Sequence, residues 1–336
     1  MIIVMHPDAS PDEIERVVAR LASLGATVSV SSQDGRTVVS GTVEGLLVDD
    51  APWESFAGVE RVMPVVPGGR RVGREYKSED STVAIGSVEI GSGGLVVIAG
   101  PCAVETREQL LTSARAVAEA GADILRGDAF KPRTSPYSFQ GLGKAGLEIM
   151  AEARSETGLP FVAEVLDPRE VELVASYADM IRIGTRNMSN QPLLREVGRQ
   201  PKPVMLKRGR AATVEEWIDA AEYISSEGNP HIVLVERGVR GFDNQARNTL
   251  DLTAVPVAKA LSHLPVIVDP SHSAGRSDLV APLARAAVAV GADGVMVDVH
   301  PNPDSALVDG PQALLPDDFA RLMVELRAMA TAVGRL

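Results

Sequence analysis

Two hydrophobic rhythms divide the chain. Over residues 1–66 short apolar runs alternate with polar ones and flank a single amphipathic segment. "MIIVM" reads as a strand, and "SPDEIERVVARLASLG" as a helix with Ser10 as N-cap and Pro11 at its first position. "TVSVSS" and "RTVVSGTV" read as strands around a "QDG" turn, followed by a short helical stretch near "DAPWESFAG" and a last strand, "VERVMPVV". The order β-α-β-β-α-β predicts a small ferredoxin-like α+β domain. "PGGRRVGREYKSED" then reads as a linker, rich in glycine and charge.

After a short hairpin, "STVAIGSVEIGSG", continuous apolar runs of buried-strand type alternate with helical segments. The strands are "LVVIAGPC", "DILRGD", "FVAEV", "MIRIG", "VMLKR", "IVLVERG", "LPVIVDPSH" and "GVMVDVH". Helical periodicity separates them, and "PDDFARLMVELRAMATAVG" closes the chain. Eight βα units in roughly 250 residues have the size and rhythm of a TIM barrel. No GxGxxG follows a strand, which argues against an open doubly wound sheet. The expected organisation is a ferredoxin-like domain over 1–66, a linker over 67–81 and a (β/α)8 barrel over 82–336.

Composition narrows the function. Acidic residues exceed basic ones by 12 in 336 residues, so the chain as a whole is no binder of nucleic acid. No apolar run approaches a membrane span. "MIIVMHPDAS" lacks a basic n-region, and the single cysteine excludes an intramolecular disulfide. A cytoplasmic location is expected.

In a TIM barrel the active site lies at the C-terminal strand ends. Those ends carry Cys102; Arg126, with Lys131, Arg133 and Thr134 beyond it; Glu164; Arg186; Lys207 and Arg208; Glu236 and Arg237; His272; then Asp298 and His300. A thiol, an imidazole and a carboxylate suit a divalent transition metal such as Mn, Fe, Co or Zn. Arg126, Lys131, Arg133, Arg186, Lys207 and Arg237 are six cations in an acidic protein, and burying them demands bound anions, more than one. Arginine favours planar, bidentate contact with phosphate or carboxylate.

The motifs around these residues, "IAGPC", "LRGDAFKPRTSPYSFQGLG", "RIGTRN", "LKRG", "ERGVR", "DPSHSAGRSDLV" and "VHPNPDSALVDG", recur in order around the barrel. They closely resemble the 3-deoxy-D-arabino-heptulosonate 7-phosphate (DAHP) synthase family, in the subclass with an N-terminal ferredoxin-like domain. The resemblance covers the whole chain. It implies condensation of phosphoenolpyruvate with erythrose 4-phosphate, the first step of the shikimate pathway. It implies a metal held by Cys102, His272, Asp298 and Asp309. Arg186, Lys207 and Arg237 would hold the donor's phosphate, and Arg126, Lys131 and Lys207 its carboxylate. Arg133 and Thr134 would take the aldose phosphate, Lys131 would act as the acid, and Glu164 would position water. It also implies a homo-oligomer, tetramer or dimer, regulated through its N-terminal domain by tyrosine or phenylalanine; the rival role for that domain is oligomerisation alone.

Two positions depart from the family pattern. Asp298 stands where a glutamate is usual, one methylene or roughly 1.5 Å shorter. It either ligates directly, binds through water, or weakens the metal. Asp128 stands where a second glycine is expected, on the same strand face as Arg126. Paired with Arg or Lys it is harmless; unpaired, it opposes phosphoenolpyruvate or alters the acceptor. The alternatives are therefore a related phosphoenolpyruvate-utilising synthase with a changed aldehyde, or a weakly active regulatory paralogue. The "KPRTS" loop favours erythrose 4-phosphate over the octulosonate-forming relatives, which carry a "KANRS"-like loop.

Overall fold

The structure is a computed structural model that describes residues 2–33, 36–42, 53–63 and 69–335. The chain falls into two compact units, Met1–Arg70 and Arg71–Leu336. In the first, β1 (Ile2–Met5), α1 (Pro11–Ser23), β2 (Thr27–Gln33), β3 (Arg36–Thr42) and β4 (Val59–Met63) form an antiparallel sheet of order β2-β3-β1-β4 with one helix. Ser10 accepts from the Glu13 backbone N–H while the Glu13 carboxylate reaches back to Ser10 N, a complete capping box ahead of Pro11. The apolar stripe of α1, Val17 and Leu21, buries against Ile3, Met5 and Val39. The helical stretch expected near 50–58 is a 3₁₀ turn at Trp53–Ser55; residues 43–52 lie outside the described residues.

The second unit is a closed barrel of eight parallel strands: β7 (Val96–Gly100), β8 (Ile124–Arg126), β9 (Phe161–Val165), β10 (Met180–Ile183), β11 (Val204–Lys207), β12 (Ile232–Glu236), β13 (Val266–Val268) and β14 (Gly294–Asp298). A hairpin of β5 (Val83–Ile85) and β6 (Val88–Ile90) precedes it. Helices α2 (Arg107–Glu119), α3 (Lys144–Thr157), α4 (Val171–Tyr177), α5 (Gln191–Gly198), α6 (Val214–Ser226), α7 (Ala254–Leu261), the short α8 (Pro270–Ala274), α9 (Val280–Ala289) and α10 (Pro316–Ala332) complete the βα units.

Strand alternation sorts the barrel residues. Val97, Ala99, Leu125, Ala163, Ile181, Leu206, Leu234 and Val297 pack outward in the large core shared with the helices. Ile98, Ile124, Val162, Met180, Met205, Val233, Ile267 and Met296 point inward and form an apolar plug that packs on Val83, Ile85 and Ile90 of the hairpin. One step further along six of the eight strands, the next inward layer is ionic: Arg126, Glu164, Arg182, Lys207, Asp269 and Asp298; β7 has Gly100 there and β12 the apolar Val235. A barrel interior filled in layers thus changes from oil to salt halfway up.

Residues 71–81, expected within a linker, are fastened to the barrel unit. Val72 is buried and its N–H donates to Glu222, Arg74 donates to the Lys259 carbonyl, and Ser81 bonds His263 Nδ1 at 2.9 Å. His263 is a structural bridge whose other nitrogen meets the Arg71 carbonyl at 2.8 Å.

Gly100 ends β7 with φ of 147°, and a Cβ there would lie 2.1 Å from the Arg126 carbonyl oxygen on β8. The obstacle is backbone, which cannot swing aside. Gly100→Ala is expected to destabilise the barrel by about 3 kcal/mol. Thermal unfolding would show this as a fall in Tm of at least about 6 °C, on a scale of about 2–4 °C per kcal/mol.

Candidate active site

A cavity of about 470 Å³ opens at the C-terminal strand ends. Eight cations line it, Lys131, Arg133, Arg182, Arg186, Lys207, Arg210, Arg237 and Arg247, against two carboxylates, Glu164 and Asp309. His272 and Thr134 also line it. In a chain of net charge −12 this is a strong local reversal of sign.

On one wall His272 and Asp309 meet, and the buried Cys102 lies against them. Cys102 Sγ lies 3.6 Å from His272 Nε2 and 3.3 Å from Asp309 Oδ2, and Nε2 lies 3.8 Å from that oxygen. Donors that each sit about 2.0–2.3 Å from a shared ion are spaced this way. Three elements deliver them. Cys102 follows the Gly100–Pro101 turn off β7. Asp309 is the one non-glycine among the described residues with a left-handed backbone, φ 54°. His272 sits on α8, where Asp269 caps the helix by accepting from the His272 N–H at 3.0 Å. The same carboxylate holds His272 Nδ1 at 2.9 Å and so turns Nε2 toward Cys102. Burial pushes the His272 imidazole down to about 3, against the pull of Asp269, so at neutral pH it is in the metal-binding form. Burial pushes the Cys102 thiol up, while Lys131 and Arg126 pull it down.

Asp298 stands apart from this trio. It offers an oxygen within 4.8 Å of donor atoms of Cys102 and His272. Both its oxygens are already engaged: Oδ1 accepts from Arg126 Nη1, and Oδ2 accepts from Gln312 Nε2 at 2.6 Å. It lies 3.6 Å from His272 Nδ1, the nitrogen that Asp269 holds.

The floor is a network of buried ion pairs. Asp128 Oδ2 accepts from Lys131 Nζ at 2.6 Å, Arg182 Nη2 at 2.5 Å and Arg126 Nη2 at 3.0 Å. Arg182 also donates to Glu164 at 2.8 Å. Lys131 completes its set with the Cys102 carbonyl at 2.9 Å and Sγ at 3.2 Å. Burial opposes the Asp128 charge, but Arg182, Lys131 and Arg126 together hold its carboxyl far below the usual range. Arg126 and Asp128 are fully buried beneath the cavity and do not line it.

Higher up the cations are free. Arg133, Arg186, Arg210 and Arg237 line the cavity and form no ion pair among the described residues. Burial, then Arg186, Arg240 and Arg247, push the Arg210 guanidinium below its ordinary value. Lys207 pairs with Asp269, yet burial pushes its ammonium down to about 8. The sign follows. Below pH 8 Lys207 is a cation facing the cavity, and above it a neutral amine. Binding of inorganic phosphate is expected to weaken by up to about tenfold per pH unit as pH rises through 8. Because the folded pKa is lowered, stability is expected to rise from pH 8 toward 10.5, where the unfolded chain releases its proton. Lys207→Met, titrated with phosphate and melted across that range, should lack both increments.

Of the strand-end residues, Cys102, Arg126 and Asp298 lie behind the cavity lining, and Arg208, Glu236 and His300 belong to other contacts. Arg208 and Glu236 have outward parity and pair with each other at 2.8 Å, with Asp251 joining at 2.9 Å. His300 faces Glu105 at 3.5 Å. Arg182, Arg210, Arg247, Asp269 and Gln312 are site residues that the motif reading passed over. Inward parity with Arg126 and Glu164 marks Arg182, and the Asp-Pro-x-His spacing of an N-cap marks Asp269.

Comparison with known proteins fits this geometry. Residues 75–333 match the DAHP synthetase I family and residues 1–67 the DAHP synthase ferredoxin-like domain. The chain is 46% identical over 339 residues to a phospho-2-dehydro-3-deoxyheptonate aldolase of Thermotoga maritima, covering 99% of each. A crystal structure of the Thermotoga maritima enzyme, described as DAHP synthase, superposes with a TM-score of 0.90 and covers 99% of this chain and 98% of its own. A 2-dehydro-3-deoxyphosphooctonate aldolase of Syntrophotalea carbinolica is 34% identical over 262 residues, 72% of this chain and 93% of that protein. No helix among the described residues is long and apolar enough to cross a membrane. With a closed barrel, a cation-lined mouth and matches that run from end to end, the chain belongs to the DAHP synthetase I family of carbon–carbon bond-forming transferases.

Proposed function

We propose that the chain condenses phosphoenolpyruvate with erythrose 4-phosphate, giving DAHP and inorganic phosphate, with a divalent metal ion. The observation that carries this reading is a cavity in which four arginines have no carboxylate partner among the described residues, with His272 and Asp309 on its lining and the buried Cys102 sulfur in contact behind them. Two phosphorylated substrates match the free arginines, Arg186 and Arg237 with Lys207 for the donor, and Arg133 with Thr134 for the aldose. The thiol, the imidazole and Asp309 fit Mn, Fe, Co or Zn, with an Asp298 oxygen within 4.8 Å of the Cys102 and His272 donors. The metal, when bound, supplies Lewis acidity toward the aldehyde oxygen.

The chain's own residues do the rest. Holding C3 of the donor against the aldehyde carbon supplies much of the rate. Lys131 gives a proton to the former aldehyde oxygen; burial opposes its charge, but Asp128 and Cys102 raise its pKa and keep the proton available. Glu164, held by Arg182 and facing the cavity, positions the water that adds at C2 before phosphate leaves. The first unit we read as the regulatory domain of an oligomer, so added tyrosine or phenylalanine should lower turnover of the full chain. Phosphoenolpyruvate consumption should stop after EDTA treatment and return with Mn²⁺, with the product identified by mass. No turnover with any divalent metal overturns the assignment. Turnover with another aldose and none with erythrose 4-phosphate would select the changed-acceptor reading.

A further inference from the structure

Three cations converge on one oxygen of Asp128, and the arrangement has the form of a carboxylate-binding cage. Arg126 donates from the end of β8, Arg182 from β10 and Lys131 from the loop after β8. The cage already holds a carboxylate, its own. Around the floor Arg126, Lys131 and Arg182 are matched one for one by Asp128, Asp298 and Glu164, all three pairs buried. The three ammonium donors of Lys131 are all engaged, by Asp128 and by the carbonyl and sulfur of Cys102. Two details mark the cage as poorly served by its occupant. Asp128 Oδ1 is buried and makes no hydrogen bond among the described residues, and neither do Arg182 Nε and Nη1. A fully satisfied structural ion pair does not leave donors and an acceptor idle side by side.

We propose that Asp128 is a built-in occupant of a carboxylate subsite, and that a donor carrying a carboxylate must compete with it for Lys131 and Arg182. The cage stands on the geometry alone; identifying the competitor as phosphoenolpyruvate rests on the function proposed above. Lys131 and Arg182 line the cavity while Asp128 lies directly beneath them, so an incoming carboxylate reaches the same two cations from the open side. One carboxylate more at a neutral floor is a like-charge juxtaposition, and one fewer leaves the floor a cation in excess. Asp128 is therefore an affinity-determining residue. It lowers the enzyme's hold on the carboxylate end of the donor and leaves the phosphate end to the free arginines.

The test uses the whole chain. Asp128→Gly deletes the equivalent of an acetate ion, and Asp128→Asn removes the charge while keeping the shape. Acetate is expected to raise the Tm of Asp128→Gly back toward wild type and to leave wild type unmoved. Inorganic phosphate, which reads the arginines above, should bind both within about twofold of each other. In the metal-loaded enzyme, KM for phosphoenolpyruvate should fall at least about tenfold in Asp128→Gly, with Asp128→Asn intermediate. An acetate shift equal in wild type and variants, or an unchanged or raised KM in the variants that fold, overturns the proposal. If Asp128→Gly does not fold, Asp128→Asn carries the KM comparison. Absence of phosphoenolpyruvate turnover in every form sinks the assigned donor, while acetate rescue still reports on the cage.

Discussion

Cys102→Ala is expected to leave a folded protein that retains no stoichiometric divalent metal and turns over about 10³-fold more slowly. The three donor atoms of Cys102, His272 and Asp309 lie 3.3–3.8 Å apart, so loss of the sulfur leaves two. Asp298 is poorly placed to replace it, because releasing its oxygens would leave Arg126 Nη1 without its carboxylate in a fully buried site. The fold should tolerate the change. Cys102 packs in a small cluster with Ala103, Val308 and Phe139, and loss of one sulfur there costs about 1 kcal/mol. Elemental analysis after gel filtration, set beside turnover with added metal, checks both halves. Asp269→Asn separates ligand from support. All three donors remain, but the grip on His272 Nδ1 is weakened, and metal affinity should fall by only about 10- to 100-fold. A Cys102→Ala variant with full metal content and activity would remove the thiol from the proposed centre.

The ionic layer was legible in the chain because a strand has a period of two. Once eight apolar runs are placed in a barrel, parity sends Arg126, Glu164, Lys207 and Asp298 inward and the residues beside them toward the helices. The same rule separates Lys207 from Arg208, which shares its strand end but pairs with Glu236 outside the cavity. It also finds Arg182, hidden in "MIRIG" one turn before the arginine that the motif advertises. Loop geometry was not legible in this way. Asp309 reaches Cys102 only because its backbone adopts a left-handed conformation, and nothing in its spacing announces that. Arg210 and Arg247 enter from loops whose course depends on tertiary contacts. Asp128 shows a different limit. Its parity predicted that it would face Arg126, but charge balance decides the outcome, and balance is a property of the assembled floor. Two cations from other segments, Lys131 and Arg182, determine whether that carboxylate repels a substrate or stands in for one.

Arg237→Met should raise KM for phosphoenolpyruvate by about 100-fold and, without ligand, make the protein more stable rather than less. Arg237 is buried at the end of β12. Its Nη2 donates to the His272 carbonyl at 2.9 Å, while Nη1 makes no hydrogen bond among the described residues. Burial pushes its pKa below the ordinary arginine value against the pull of Asp269, and Arg247 and Arg210 add repulsion. A guanidinium held this way is uncomfortable alone, and a phosphate relieves it with charge-assisted hydrogen bonds worth about 1.5–3 kcal/mol each. Loss of about 2.7 kcal/mol of binding is a 100-fold change. Methionine fills similar space without charge, so removal of the uncompensated cation should stabilise the free protein by about 1 kcal/mol. The two effects have opposite sign, and that separates this role from a structural one. Wild type should gain Tm on adding inorganic phosphate, and Arg237→Met should start higher and gain little. An arginine retained for packing would behave the other way: the variant would melt lower, and phosphate would shift both proteins equally.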